Sequence, residues 1–221
     1  MYIPELNREI KTEYVNGLIA FIDFVRDASK TDCVFDLSEA FRHTDTNKLA
    51  IEYMKSLPGV EQLVEQRYLA ATPHIEALLK LPQDSLGYVY AYKMKKANFD
   101  PEFYRKISVA DDATYLALRM RQTHDIWHTV TGFGTDVVGE IGLQAFSLAQ
   151  THGPLSVAII ASGILNTLLA SSENLPNVMN KINQGYSMGI KAKPFLAQKW
   201  EENWEKPLAE WRAELGVEPV S

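Results

Sequence analysis

The sequence predicts an all-α protein, a single multi-helix domain over residues 1–221. Three observations carry this. Apolar residues recur three and four apart along most of the chain, and the alternation of a half-buried strand is nearly absent. The breaks between periodic stretches are short glycine, proline and asparagine signals, with no polar or low-complexity tract long enough to link two domains. The composition, 46% hydrophobic and 23% charged, is that of an ordinary globular chain. A chain of this length buries roughly 70% of its unfolded surface, so no covalent staple is needed.

Leu18, Ile19, Ile22 and Val25 form the first apolar stripe, ahead of Arg26 and Asp27. Leu49, Tyr53 and Leu57 form the second, which Pro58-Gly59 ends. A third helix is expected over 60–71, stopping before Pro73, and a short one over 74–81, closed by Pro82. Asp84 is placed to cap a helix through about Lys96, because its carboxylate can accept from the first free amides. Asn98-Phe99-Asp100-Pro101 is a break, and Pro101 suits the first turn of a short helix. Asp111 opens a long helix to about Thr129, which Gly132-Phe133-Gly134 must end, since glycine tolerates the left-handed turn after a helix. Thr135 or Asp136 caps the next helix, to about Gln150. His152-Gly153-Pro154 breaks the chain before a helix over 154–171, and another runs from Pro176 or Asn177 to Gly189. The last helix is expected to run unbroken from about Pro194 to Leu215, stopped by Gly216. On it Trp200, Trp204 and Trp211 make one stripe, which serves packing or, as the alternative, a membrane-facing anchor.

Cys33 is alone, so neither an internal disulfide nor a thiolate metal cluster can form, and a reducing compartment fits best. Any metal must therefore be held by His, Asp and Glu. The net charge of -6 argues against a nucleic-acid partner, which calls for a basic face. Lys93, Lys95 and Lys96, the densest basic cluster, read first as a solvated helix face and second as a contact for acidic lipid headgroups or a phosphate. Glu5, Glu9 and Glu13 fit neither a secretory signal nor an acid-poor transit peptide, so a mature or bacterial-style start and a cytoplasmic location are expected.

From Ile141 to Ser172 there is no Asp, Glu, Lys or Arg. Gly153-Pro154 cuts this stretch, so neither half has the roughly 20 apolar residues of a membrane span. Two readings fit it. The halves are buried core helices, or their small residues leave an apolar channel for a long ligand, lined by Gly142, Ala145, Phe146, Ala158, Ala161, Ser162 and Leu165. Small residues also permit close helix packing.

The chemistry concentrates in QTHDIWHTVTGFGTDVVGEIG. His124 and His128 are four apart on a helix, about 40° apart in angle, so both imidazoles can reach one ion. Asp125 lies about 100° from His124 and joins them if the helix edge faces the site. The glycine turn sends the chain back antiparallel and sets Glu140 opposite the histidines. Two histidines and two carboxylates suit zinc, manganese or iron better than copper or calcium, and magnesium usually keeps more waters. In the plainer reading His128 caps a carbonyl and Asp125 pairs with Arg121 or Arg119. Metalloprotease chemistry is disfavoured, because Asp125 stands where that motif has a longer glutamate; it is a ligand or an orienting partner. His43, His74 and His152 read as structural or surface residues, and Trp127 as core.

HDIWH, eleven residues, then Glu140 resembles the HDxxH-x11-E signature of the coenzyme Q (ubiquinone) biosynthesis Coq-four family. Leu86-Gly87 with Tyr90, Val109-Ala110-Asp111-Asp112 with Tyr115, and Trp200-Glu201-Glu202, Trp204, Pro207-Leu208, Arg212 and Leu215-Gly216 extend the resemblance over about Leu86 to Val217. It implies a helical protein whose His124, Asp125, His128 and Glu140 hold zinc or another divalent ion. It also implies a peripheral place on the inner face of the membrane, on the matrix side in a mitochondrion. The partners it implies are a polyprenyl quinone precursor, other quinone biosynthesis proteins and a second copy of the chain. The activity it implies is removal of the carboxyl group from C1 of a polyprenylated benzoate ring, with hydroxylation there. The alternative is a non-catalytic lipid-binding scaffold with a structural metal. A metal-dependent phosphohydrolase also uses adjacent His-Asp, but no second such pair is evident.

Overall fold

The structure, a computed structural model, describes residues 12–27, 30–101 and 106–220. These form α1 (Thr12–Arg26), α2 (Thr31–Phe41), α3 (Asp45–Ser56), α4 (Val60–Glu65), α5 (Ile75–Leu78), α6 (Leu86–Ala97), α7 (Asp112–Thr131), α8 (Val137–Thr151), α9 (Pro154–Ala170), α10 (Leu175–Lys191) and α11 (Leu208–Leu215). Among the described residues there is no named strand, and the fold is an all-α bundle. The short helix expected after Pro101 falls on 102–105, outside the described residues.

Local chemistry sets most helix ends. The Asp111 carboxylate accepts from the Thr114 amide at 2.8 Å while the Thr114 hydroxyl accepts from the Asp111 amide at 3.0 Å, a reciprocal cap at the start of α7. Asp136 accepts from the Val138 and Gly139 amides, both at 3.1 Å, and starts α8. The α6 cap is Ser85, which accepts from Tyr88, where aspartate 84 was expected. Asp84 contributes its backbone carbonyl to Leu208 instead.

The first stripe lies mostly on the wrong face, and the second only in part, since Tyr53 is half-buried and Leu57 packs against the core. On α1 the buried residues are Gly17, Ala20 and Phe24, while Leu18, Ile19 and Ile22 are exposed. On α3 Ala50 and Met54 are buried and Leu49 is exposed. Close packing decides this: a Cβ on Gly17 would stand 2.6 Å from the Ala40 Cβ of α2, an approach only small residues permit. The helix α2 itself was not anticipated.

The unbroken last helix is also overturned. Residues 195–197 and 200–202 are single 3₁₀ turns, and only Leu208–Leu215 is α-helical. Pro207 disfavours a helical residue before it. The extended segment is used: the Trp204 and Lys206 carbonyls accept from the Gly87 and Leu86 amides, both at 2.9 Å, the free donors at the start of α6. Trp200 and Trp211 are buried with ring centroids 4.7 Å apart, so the tryptophans pack the core and do not anchor a membrane face.

α8 and α10 pack most intimately. A Cβ on Gly185 would collide with the Gly142 carbonyl, and one on Gly189 would sit 2.6 Å from the Phe146 carbonyl. Gly142 and Gly185 lie level, as do Phe146 and Gly189, so the helices run parallel with α9 returning between them in sequence. The α1–α2 pair has its own apolar cluster, Ala20, Phe24, Cys33 and Leu37, closed by Ala158 and Ile159 of α9.

Candidate metal centre

His124 and His128 lie one turn apart on α7, with ring centroids 4.7 Å apart. Gly132, at φ +84°, ends the helix, and the Asp136 cap starts α8 so that Glu140 falls in its first turn. The Glu140 carboxylate then meets both rings: Oε1 is 3.0 Å from His128 Nε2 and Oε2 is 3.6 Å from His124 Nε2. One ligand atom from each of the three lies within 4.8 Å of the others, close to the span a single ion with bonds of about 2.1 Å can bridge.

The hydrogen bonding makes this arrangement unusual. His128 is buried, and its Nδ1 lies 3.1 Å from the Phe133 carbonyl, which can only accept. Nδ1 therefore carries the proton, and in the neutral ring Nε2 presents a lone pair. That lone pair faces Glu140 Oε1, another acceptor, and Nε2 has no well-aligned hydrogen-bond partner in the protein. Two acceptors at this distance need a cation between them, a proton or a metal ion. The orphaned nitrogen, the second imidazole and the carboxylate fit a divalent ion of zinc's preferences.

Asp125 is brought near by the same turn but not into the triad. Its Oδ1 lies 3.4 Å from His124 Nδ1, the nitrogen on the other side of the ring from Glu140. That is where a carboxylate fixes a ligand histidine's tautomer. Nor is Arg119 its partner. That arginine is fully buried and makes a two-pronged contact with Glu201 at 2.5 and 2.8 Å.

Burial pulls the His124 imidazole down, but the Asp125 and Glu140 carboxylates outweigh it and push the pKa up to about 10. Burial likewise raises the Glu140 carboxyl, and His124 and His128 outweigh it and hold it well below the usual carboxylate range. The Tyr90 phenol is pushed up by burial and by the nearby Asp125. The two carboxylates thus favour positive charge on the imidazole between them.

The expected channel residues divide. Gly142, Ala145 and Phe146 are enclosed, Gly142 by Gly185 and Phe133, and Phe146 by Trp127 and Phe195. Ala158 and Ser162 are buried, Ala161 is half-buried, and Leu165 is exposed beside Val157, Leu168 and Leu169. A cleft of about 310 Å³ does exist, lined by Tyr53, Leu57, His152, Tyr186 and Ile190 among others. It lies near Gln150, about 15 Å along α8 from Glu140.

Trp127 fills core as expected, and His74 caps α5 through its ring. His152 stacks on Tyr53 at 3.6 Å. The plainer expectation that His128 caps a carbonyl is also met, through Nδ1 and the Phe133 carbonyl; which carbonyl it would be leaves no residue-type signature.

Residues 9–221 match the family described as coenzyme Q (ubiquinone) biosynthesis protein Coq4. The chain is 27% identical over 171 residues to the mitochondrial ubiquinone biosynthesis protein COQ4 homolog of Aedes aegypti, covering 76% of this chain and 62% of that one. It is 31% identical over 147 residues to mitochondrial COQ4 of Saccharomyces cerevisiae, covering 65% of this chain and 43% of the yeast one. The match thus spans less than two thirds of these two relatives. A crystal structure of a Nostoc punctiforme protein described as a ubiquinone biosynthesis protein superposes with a TM-score of 0.84 at 40% identity, over 92% of this chain and 98% of that one. The chain belongs to the coenzyme Q (ubiquinone) biosynthesis Coq4 family.

Proposed function

We propose that the chain binds a divalent metal, zinc first among the candidates, through His124, His128 and Glu140, and presents it to a polyprenylated aromatic acid whose C1 carboxyl group is removed. The observation that carries the metal is the pair of facing acceptors, His128 Nε2 and Glu140 Oε1, 3.0 Å apart. Three protein ligands leave a position open, as catalytic zinc sites do. Asp125 then belongs behind His124 as its orienting partner, and Phe133 does the same for His128. Glu140 and His124 keep 35% and 27% of their side-chain surface, so a substrate group can reach the open side.

A bound metal supplies a Lewis acid for a ring oxygen or carboxylate. The chain's own residues hold and orient. Loss of carbon dioxide leaves the electron pair of the broken bond on the ring carbon, which must then take a proton from a donor other than the metal-ligating His124.

The lipid part of the proposal is supported by side chains that face water. Val15, Leu18, Ile19 and Ile22 on α1 and Val157, Leu165, Leu168 and Leu169 on α9 are large, apolar and exposed. No helix among the described residues is long and apolar enough to cross a membrane. Contact with a lipid surface or a tail along this face is the reading that uses it. The Aedes and yeast relatives are named mitochondrial, and a matrix-side surface is the corresponding proposal for a mitochondrial host.

The second reading is a lipid-binding scaffold with a structural metal, favoured by the position of the triad as a staple between α7 and α8. His128→Ala separates them. A catalytic centre loses decarboxylated product with helix content retained. A structural one melts on metal removal and shows no turnover of any prenylated benzoate beforehand. Unchanged turnover in His128→Ala would remove the metal from the reaction.

A further inference from the structure

The end of α7 that carries His128 is finished by a distant part of the chain. A helix leaves its last carbonyls without internal partners. Here Gly132 takes the His128 carbonyl, and the next three are taken from outside. Arg212 of α11 donates Nη2 to the Thr129 carbonyl at 3.1 Å and Nε to the Val130 carbonyl at 2.9 Å. The Val220 amide donates to the Thr131 carbonyl at 3.0 Å. The same strap lies on the glycine turn: a Cβ on Gly132 would stand 2.7 Å from the Val220 carbonyl and 3.2 Å from the Pro219 Cβ.

That turn supplies the Phe133 carbonyl, which fixes the His128 tautomer and aims its free nitrogen at Glu140. We infer that Arg212 is a positioning residue for the metal centre: by tying the Thr129 and Val130 carbonyls to α11, it sets the path of the Gly132-Phe133 turn and so the direction of the His128 lone pair. The guanidinium suits this task. It is planar, always charged at physiological pH, and its fork reaches two carbonyls at once, which a lysine ammonium on a flexible stem cannot do with the same rigidity. Its positive charge also sits favourably at the negative end of the α7 dipole. Burial lowers its pKa, yet a guanidinium remains a cation at physiological pH.

The inference rests on the metal reading, and the test tells the two failures apart. Zinc affinity of the full chain is measured by competition with a chromophoric chelator for the wild type, Arg212→Met, Arg212→Lys and Leu215→Ala. Leu215 is buried on the same helix, so its truncation loosens α11 without removing the arginine's bonds. Melting of the metal-free proteins is followed alongside, together with the imidazole N–H resonance of His128. Partners that orient a ligand typically contribute 10–100-fold to affinity. Arg212→Met is expected to bind zinc about ten-fold more weakly, with the His128 resonance moved, and Arg212→Lys to fall between it and wild type. Leu215→Ala is expected to melt earlier with its affinity unchanged. If Arg212→Met does not fold, Arg212→Lys carries the test, and wild-type affinity with an unmoved resonance overturns the inference. Equal zinc affinity in wild type and folded Arg212→Met overturns it alone, as does an equal loss in Leu215→Ala. A wild type that binds no zinc overturns the metal reading and this inference together.

Discussion

α7 and α9 reverse the usual relation between composition and burial. α7 mixes polar and apolar residues, and beside its apolar core positions it buries Thr114, Arg119, Thr123, His128, Thr129 and Thr131. α9 has no charged residue, yet Val157, Leu165, Leu168 and Leu169 face outward. Buried polar groups are costly unless partnered: the Thr123, Thr129 and Thr131 hydroxyls donate to carbonyls of their own helix, while Arg119 and His128 reach across to Glu201 and Glu140. Exposed apolar groups cost little singly, but a run of them on one helix has no folding purpose. The difference separates the helix that carries the candidate metal centre from the helix whose large apolar side chains are exposed.

The comparison is broken most severely at Arg119. It is fully buried, and Glu201, the Gln198 carbonyl and the Tyr68 ring surround it. Arg119→Met strands the Glu201 carboxylate, and removing one partner of a buried pair costs about 3–5 kcal/mol. Urea unfolding measures it. Adding Glu201→Leu is expected to recover most of the loss, because the stranded charge and not the missing attraction is the larger part. A single variant that loses less than about 1 kcal/mol would mean that water reaches the pair.

The next largest effect belongs to the metal. Zinc at a hundred-fold excess over its dissociation constant is expected to stabilise the wild type by about 2.7 kcal/mol, reversed by a chelator. His128→Ala and Glu140→Gln are expected to show no such gain. A gain that persists in both variants would place the ion elsewhere.

How far the sequence could be read follows the same division. α7 and α8 were legible because Asp111, the glycine turn and Asp136 are local signals that need no tertiary information. The triad was legible because His124 and His128 share a helix face and the turn fixes where Glu140 returns. α1 misled because Leu18, Ile19 and Ile22 form the clearer stripe while Gly17, Ala20 and Phe24 form the contact with α2, and α3 misled at Leu49, where Ala50 and Met54 face the core instead. The segment from Pro194 misled because three tryptophans at helical spacing hid Pro207, and its free carbonyls found the start of α6 instead. The small residues of 141–170 fit either close helix packing or room for a ligand, and at Gly142 and Gly163 packing takes the space, from Gly185, Phe133 and Ile141.

Proton linkage gives a smaller, signed effect. Without metal, the raised His124 pKa contributes stability fully below its ordinary 6.5 and loses it as pH rises toward about 10. The depressed Glu140 pKa contributes above its ordinary 4.5 and loses it as pH falls through the folded-state value. The pair therefore favours the metal-free fold most between 4.5 and 6.5. Metal reverses the high-pH side, since a ligand imidazole must give up its proton. Zinc addition at pH 7 is expected to release about one proton into weak buffer, with affinity rising as pH rises. Release of none would mean that His124 is not a ligand.

The smallest effect on folding tests the other helix. Leu168→Ser with Leu169→Ser changes exposed positions, so the melting point is expected to hold, within about 0.5 kcal/mol for each site. Ile141→Ser, on a side chain 2% exposed and packed against Gly163, is expected to cost several times more. The α9 pair matters where folding does not register it. Flotation with vesicles of neutral lipid is expected to retain wild type and lose the double variant, and salt is expected to change neither, because Ile141 to Ser172 carries no Asp, Glu, Lys or Arg. Equal flotation of both proteins would leave α9 an outward-facing helix without a lipid partner, and α7 would then be the only one of the two whose inverted composition has a function.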